Sequence, residues 1–129
     1  MKNKEIIPFF RPSISLVIGC IYDDINDLEK LLYNLSDNIE YLNEIICVIS
    51  GTGDREYGFF NYLKSMNGGN INIIIVKDII FPGKARNIGV ENAKSDYYAF
   101  LDAKTIPEGN WIKDCLSIFR EKEKQGILG

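Results

Sequence analysis

The chain has 129 residues, 46% of them hydrophobic and 26% charged, with a formal net charge of −3 and no histidine. That length suits one domain able to bury roughly two-thirds of its unfolded surface, and the composition excludes disorder along the whole chain. Scattered basic residues and an acidic balance exclude coating of a polyanion, so no nucleic-acid partner is expected. The missing histidine removes Ser-His-Asp, Cys-His and His-metal constellations.

Residues 1–13 contain Pro8 and Pro12, which forbid a regular helix or a central strand, and read as a lead-in that straps Phe9 and Phe10 onto the domain. Residues 14–129 form the domain proper. No apolar leader opens the chain and no later run approaches the ~20 residues of a membrane span, so a cytoplasmic location is expected. Cys20, Cys47 and Cys115 have no metal-ligand spacing and read as free thiols in a reducing compartment. Asn34-Leu35-Ser36 matches a glycosylation sequon, which without a secretory signal reads as chance.

Ile14 to Ile21 is a short, continuous β-branched run, the pattern of a strand buried on both faces of a parallel sheet. Ile25, Leu28, Leu31, Leu32 and Leu35 then fall at helical spacing, with Asp23 or Asp24 placed to cap the start. Ile45 to Ile49 repeats the strand signal, and Ser-Gly-Thr-Gly-Asp follows as a tight polar loop. Phe59 to Met66 predicts a second helix, ended by Asn67-Gly68-Gly69, and Ile71 to Val76 a third strand. Pro82-Gly83 is a turn signal. Lys84 to Ala93 predicts a helix whose small residues Ala85, Gly89 and Ala93 let it lie close on a sheet. Tyr97 to Leu101 is a buried strand, and a last helix runs from about Gly109 to Lys122. Strands alternating with helices predict an α/β fold, a Rossmann-like, mostly parallel open sheet with helices on both faces. Gly126 to Gly129 reads as a fifth strand cut short, so the domain is expected to be incomplete at its carboxyl end.

In such a sheet, ligands bind at the carboxyl ends of the strands. Four polar groups stand there: Tyr22 with Asp23, the loop from Ser50 to Asp54, Lys84 with Arg86, and Asp102 with Lys104. Gly51-Thr52-Gly53 is no dinucleotide fingerprint, because Glu56 stands at the third glycine position and the loop follows the second strand. No Walker loop is present. Gly83, Lys84 and Arg86 at a helix start offer backbone N–H groups, a helix dipole and two cations, a combination suited to a diphosphate. The plainer reading keeps Gly83 as a turn and both cations solvated.

The segment from Gly83 to Ile112, G-K-A-R-N-I-G-V-E-N-A-K-S-D-Y-Y-A-F-L-D-A-K-T-I-P-E-G-N-W-I, resembles the inverting family 2 glycosyltransferases, whose pattern is close to G-x-A-x-N-x-G-x-x-x-A-x-G-x-Y-x-x-F-L-D-x-D. Weaker resemblance extends upstream, through S-L-V-I-G-C-I-Y-D-D-I-N-D and E-I-I-C-V-I-S-G-T-G-D. The resemblance implies the amino-terminal half of a GT-A fold that binds a nucleotide diphosphate sugar, often a UDP-sugar, for transfer to an acceptor hydroxyl. It places Tyr22 beside the base or ribose, Ser50 where the family has an acid that hydrogen-bonds the base, Arg86 near the base or diphosphate, and Asp102 at ribose or metal; with Asp54, Lys84 and Lys104 from the strand ends these make up the expected nucleotide-sugar-binding set.

Two positions depart from the pattern. Ser50 stands where the family has an acid, and Lys104 replaces the second acid of the D-x-D motif, the usual ligand of Mg²⁺ or Mn²⁺. A hard cation wants carboxylate oxygens. Lys104 therefore has two readings: an ammonium that stands in for the metal and neutralises the diphosphate, or a solvated residue on a decayed site. The family's base and acceptor site lie beyond the D-x-D strand; Glu108 and Asp114 read as helix-start and surface acids, so no base is assigned. The alternative to an enzyme is a non-catalytic module. It would bind a nucleotide sugar, or a protein partner along the unfinished sheet edge near Ile127 and Leu128.

Overall fold

The computed structural model describes residues 13–35, 42–54, 58–66 and 70–105. Strand β1 (Ile14–Ile21) leads through a single 3₁₀ turn (Tyr22–Asp24) into helix α1 (Ile25–Asn34). Strand β2 (Glu44–Ser50), helix α2 (Gly58–Lys64), strand β3 (Ile71–Val76), helix α3 (Pro82–Glu91) and strand β4 (Tyr97–Asp102) follow. The four strands form one sheet in the order β3-β2-β1-β4, every pair parallel. This is the expected α/β, Rossmann-like architecture. The expected lead-in, the last helix with Glu108 and Asp114, Cys115, and the edge near Ile127 and Leu128 lie outside the described residues.

Period-two alternation along β1 divides the core in two. Ile14, Leu16, Ile18 and Cys20 face Leu28, Leu31 and Leu32 of α1 and Phe60 and Leu63 of α2. Val17, with Ile46 and Val48 of β2, faces Ala85 of α3 on the opposite side. Both faces of β1 and β2 are thus covered, which is why their sequences are continuous apolar runs. The predicted close approach of α3 is present: a Cβ at Gly89 would lie 2.3 Å from Val17 Cγ1.

Three expectations are corrected. Strand β4 is not buried; it lies at the end of the sheet among the described residues, and burial alternates, leaving Tyr98, Phe100 and Asp102 exposed. An edge strand needs an apolar run on one face only, and the aromatic residues of Tyr97 to Phe100 hide that alternation in the sequence. Helix α3 starts at Pro82, because proline's fixed φ and missing N–H suit the first helical position. Asp24 occupies the N-cap of α1, but its side chain makes no capping hydrogen bond.

The amino ends of the strands are tied by polar contacts. Glu44 Oε2 accepts from Ser15 Oγ and from the Lys94 N–H, each at 2.6 Å, and Asn43 Nδ2 donates to Ser95 Oγ at 3.0 Å. Asn70 Nδ2 donates to the Asn43 carbonyl, and the Asp96 N–H donates to Ser13 Oγ at 3.0 Å.

Candidate functional site

The strand order reverses between β1 and β4, since β2 and β3 extend the sheet to one side of β1 and β4 lies on the other. A crevice of about 180 Å³ opens at the carboxyl ends beside this switch point. Its walls come from Gly19 to Ile21 and Asp24 after β1, Ser50 at the end of β2, and Leu101 to Ala103 on β4, with Ile80, Pro82, Ala85, Arg86 and Phe100 closing the α3 side. A second groove, about 310 Å³ between Glu29, Tyr33, Tyr62 and Met66, is wider, but it belongs to the helix layer rather than to the strand ends where α/β sheets bind ligands.

Each wall has a local cause. The sheet continues one residue past β4, with the Ala103 N–H donating to the Gly19 carbonyl at 3.1 Å. The chain then turns: Asp102 Oδ1 accepts the Lys104 N–H at 2.9 Å, an aspartate bonded to the backbone two residues on. Helix α3 presents its start to the crevice through Pro82, and no side chain caps it. The Arg86 guanidinium lies 5.9 Å from the centre of the Phe100 ring, within cation–π range. Phe100, 44% exposed, is thus a platform for Arg86 in the crevice wall. Ile79 and Phe81, neighbours in sequence of the lining residues Ile80 and Pro82, are exposed apolar side chains.

The loop after β2 leaves the crevice at once. Gly51 and Gly53 take positive φ of 72° and 58°. The N–H groups of Gly51, Thr52 and Gly53 donate to the carbonyls of Asp78, Val76 and Lys77. The loop is thereby bound to the end of β3, and Asp54 is carried to an exposed ion pair with Lys77, 3.0 Å apart.

Electrostatically the floor is acidic. Cys20, buried and donating its S–H to the Ile21 carbonyl at 3.1 Å, has its thiol pushed up to about 12 by burial first and then by the charges of Asp24, Asp102 and Asp27. It is therefore no nucleophile at neutral pH. Besides Arg86 of the wall, Lys104 approaches one of these acids, its Nζ 3.6 Å from Asp24 Oδ1. An exposed pair of this kind is worth about 0.2–1 kcal/mol.

The family model for "Glycosyl transferase family 2" matches residues 16–129. The chain belongs to that family. No curated protein sequence matches it. Among solved structures it is similar to S. aureus TarS, with a TM-score of 0.69 at 17% identity, covering 86% of this chain and 20% of that one. The TarS 1–349 structures in complex with UDP and with UDP-GlcNAc give the same TM-score and identity. This chain covers 33% of the first and 32% of the second, so it spans about a third of that fragment. At this identity the likeness establishes the fold, which is GT-A-like.

Within this family 2 domain, Ser50, Arg86 and Asp102 of the expected site residues line the crevice. Tyr22 packs edge-on against Phe60, ring centres 6.2 Å apart, at the side of the helical core. Lys84 is exposed on the first turn of α3, and Lys104 stands at the mouth. Asp24 and Phe100 were not legible as site residues. Asp24 reads as a helix cap, and Phe100 as one more apolar residue in a strand taken to be buried.

The family's usual Mg²⁺ or Mn²⁺ does not fit these residues. A hard cation collects several oxygen ligands. Here one Asp102 oxygen accepts the Lys104 N–H, and the Asp24 carboxylate faces the Lys104 ammonium. Among the described residues no helix is long and apolar enough to cross a membrane.

Proposed function

We propose that the crevice binds the diphosphate and ribose of a nucleotide sugar, as the donor-binding part of a glycosyltransferase that moves the sugar to an acceptor hydroxyl. The observation that carries this reading is the convergence of Ser50, Arg86, Asp102 and the uncapped start of α3 on the β1/β4 switch point. Helix N–H groups and a guanidinium bind phosphate oxygens, and a carboxylate accepts from ribose hydroxyls. Lys104, paired with Asp24 of the crevice wall, and Lys84 on the first turn of α3 are the further cations near the opening, where base and sugar would project; Tyr22 on Phe60 and Asp54 on Lys77 are directed elsewhere. The complexes of TarS with UDP and UDP-GlcNAc support a uridine diphosphate sugar as the donor class.

A crevice of about 180 Å³ is smaller than the roughly 300–1,000 Å³ of small-molecule pockets. It suits part of such a donor. The chemistry implied by the family is in-line attack of an acceptor hydroxyl on the anomeric carbon, assisted by a carboxylate base. These residues supply the other half of that reaction: Arg86, Lys104 and the α3 N–H groups stabilise the departing diphosphate.

Thermal unfolding with and without UDP tests the reading. UDP at 100 times its Kd adds about 2.7 kcal/mol of stability. Arg86→Ala weakens UDP about tenfold, the equivalent of one charge-assisted hydrogen bond. No stabilisation by millimolar UDP or GDP contradicts donor binding and favours a decayed site on a module that binds a protein partner.

A further inference from the structure

Lys104 joins two acids of the crevice through its two ends. Its backbone N–H is held by the Asp102 carboxylate at 2.9 Å, and its ammonium reaches to Asp24, 3.6 Å away on the turn after β1. Asp24 sits at the N-cap of α1 without capping it, and instead lines the crevice wall. Its partner is therefore Lys104 rather than the helix. The side chains are 65% and 31% exposed, and 3.6 Å is long for a charge-assisted hydrogen bond. Such a contact is loose, and a more highly charged anion can take the ammonium without leaving a buried charge behind.

We propose that Asp24 is a competing carboxylate that occupies the Lys104 ammonium at the crevice mouth until a ligand diphosphate displaces it. Ligand entry exchanges a carboxylate–ammonium pair for a phosphate–ammonium pair, with no proton transfer and no covalent change. Lys104 is then the resident cation of the site, in the place where the family uses a metal. The exchange rests on the reading that the crevice accepts a nucleoside diphosphate, but it concerns the phosphates alone, so inorganic pyrophosphate probes it separately.

Calorimetric titration of UDP, uridine and pyrophosphate in EDTA, on the full chain and on Asp24→Asn, Lys104→Met and Lys104→Arg, decides the matter. Lys104→Met weakens UDP and pyrophosphate about tenfold or more and leaves uridine within about twofold, while Lys104→Arg retains both phosphate ligands. Asp24→Asn, which removes the competing charge and keeps the shape, tightens UDP and pyrophosphate by about three- to tenfold. Replacing EDTA with Mn²⁺ leaves UDP affinity unchanged. The exchange is overturned by unchanged or weaker phosphate binding in Asp24→Asn, by equal losses of UDP and uridine in Lys104→Met, or by tightening with Mn²⁺. If pyrophosphate obeys the pattern while UDP does not bind, the exchange stands and the nucleotide reading falls. UDP binding that ignores both substitutions has the opposite meaning.

Discussion

Gly89 and Gly83 lie on the same helix and have opposite sensitivities. A Cβ at Gly89 meets Val17 Cγ1 at 2.3 Å, whereas at Gly83 nothing lies within 4 Å and the backbone is helical. Gly89→Ala therefore forces α3 off the sheet and costs about 1–3 kcal/mol. Gly83→Ala gains up to about 1 kcal/mol of helix propensity. Denaturant titration of both variants checks the pair; equal effects would mean that α3 does not rest on β1 at Gly89. The role of Gly89 was legible as a small residue on the sheet-facing side. That Gly83 serves inside the first turn of a helix was not, because Pro82-Gly83 carries the same local signal in a turn as at a helix start.

Cys20 gives the chain an alkaline limit. Its thiol has an ordinary value of 9.0 and is pushed up to about 12 in the folded protein, and burial raises Cys47 in the same direction. The neutral form is the one the fold favours. This contribution is whole below pH 9.0, where unfolded thiols still hold their protons, and is lost as pH rises toward about 12. Unfolding free energy measured from pH 8 upward should fall across that window, and Cys20→Ala should flatten the fall. At pH 8, Ellman's reagent should leave Cys20 unmodified in a Cys115→Ser background until denaturant is added.

At the scale of elements, the three strands β1, β2 and β3 were legible almost to the residue because their apolar runs are short, β-branched and bounded by polar loops. Strand β4 was legible in position but not in environment, since Tyr97-Tyr98-Ala99-Phe100 is apolar whether one face or two are covered. Of the site, the segments were legible and the pairings were not. Nothing in the spacing of Ser50 and Asp54 says that backbone bonds to β3 turn the loop away after Ser50, and nothing links Asp24 to Lys104, 80 residues apart in number. The two ends of the sheet also differ in kind. Glu44 ties β1 to the connection before β4 through Ser15 and Lys94, at the end opposite the crevice. Glu44→Ala should cost about 1.5–3 kcal/mol, the range for hydrogen bonds to a charged group, and leave UDP affinity unchanged. A variant that loses affinity in proportion to stability would show that the two ends are not independent.

For the molecule as a whole, the layout concentrates stability and chemistry in different places. The core lies on both faces of β1 and β2, the polar clasp closes the amino ends, and the carboxyl ends hold Ser50, Arg86 and Asp102 around an open crevice. This separation lets a family 2 domain vary its loops without disturbing the sheet that positions them. The crevice joins segments remote in sequence, so a ligand there should report on all of them together. Backbone NMR of the 14.7 kDa chain during titration with UDP is the most direct measurement. Donor binding in the crevice should give saturable shifts at Gly19 to Asp24, Ser50, Arg86 and Leu101 to Lys104, with Tyr33 and Tyr62 in the helical groove unmoved. Shifts confined to that groove, or none at millimolar UDP, would contradict it.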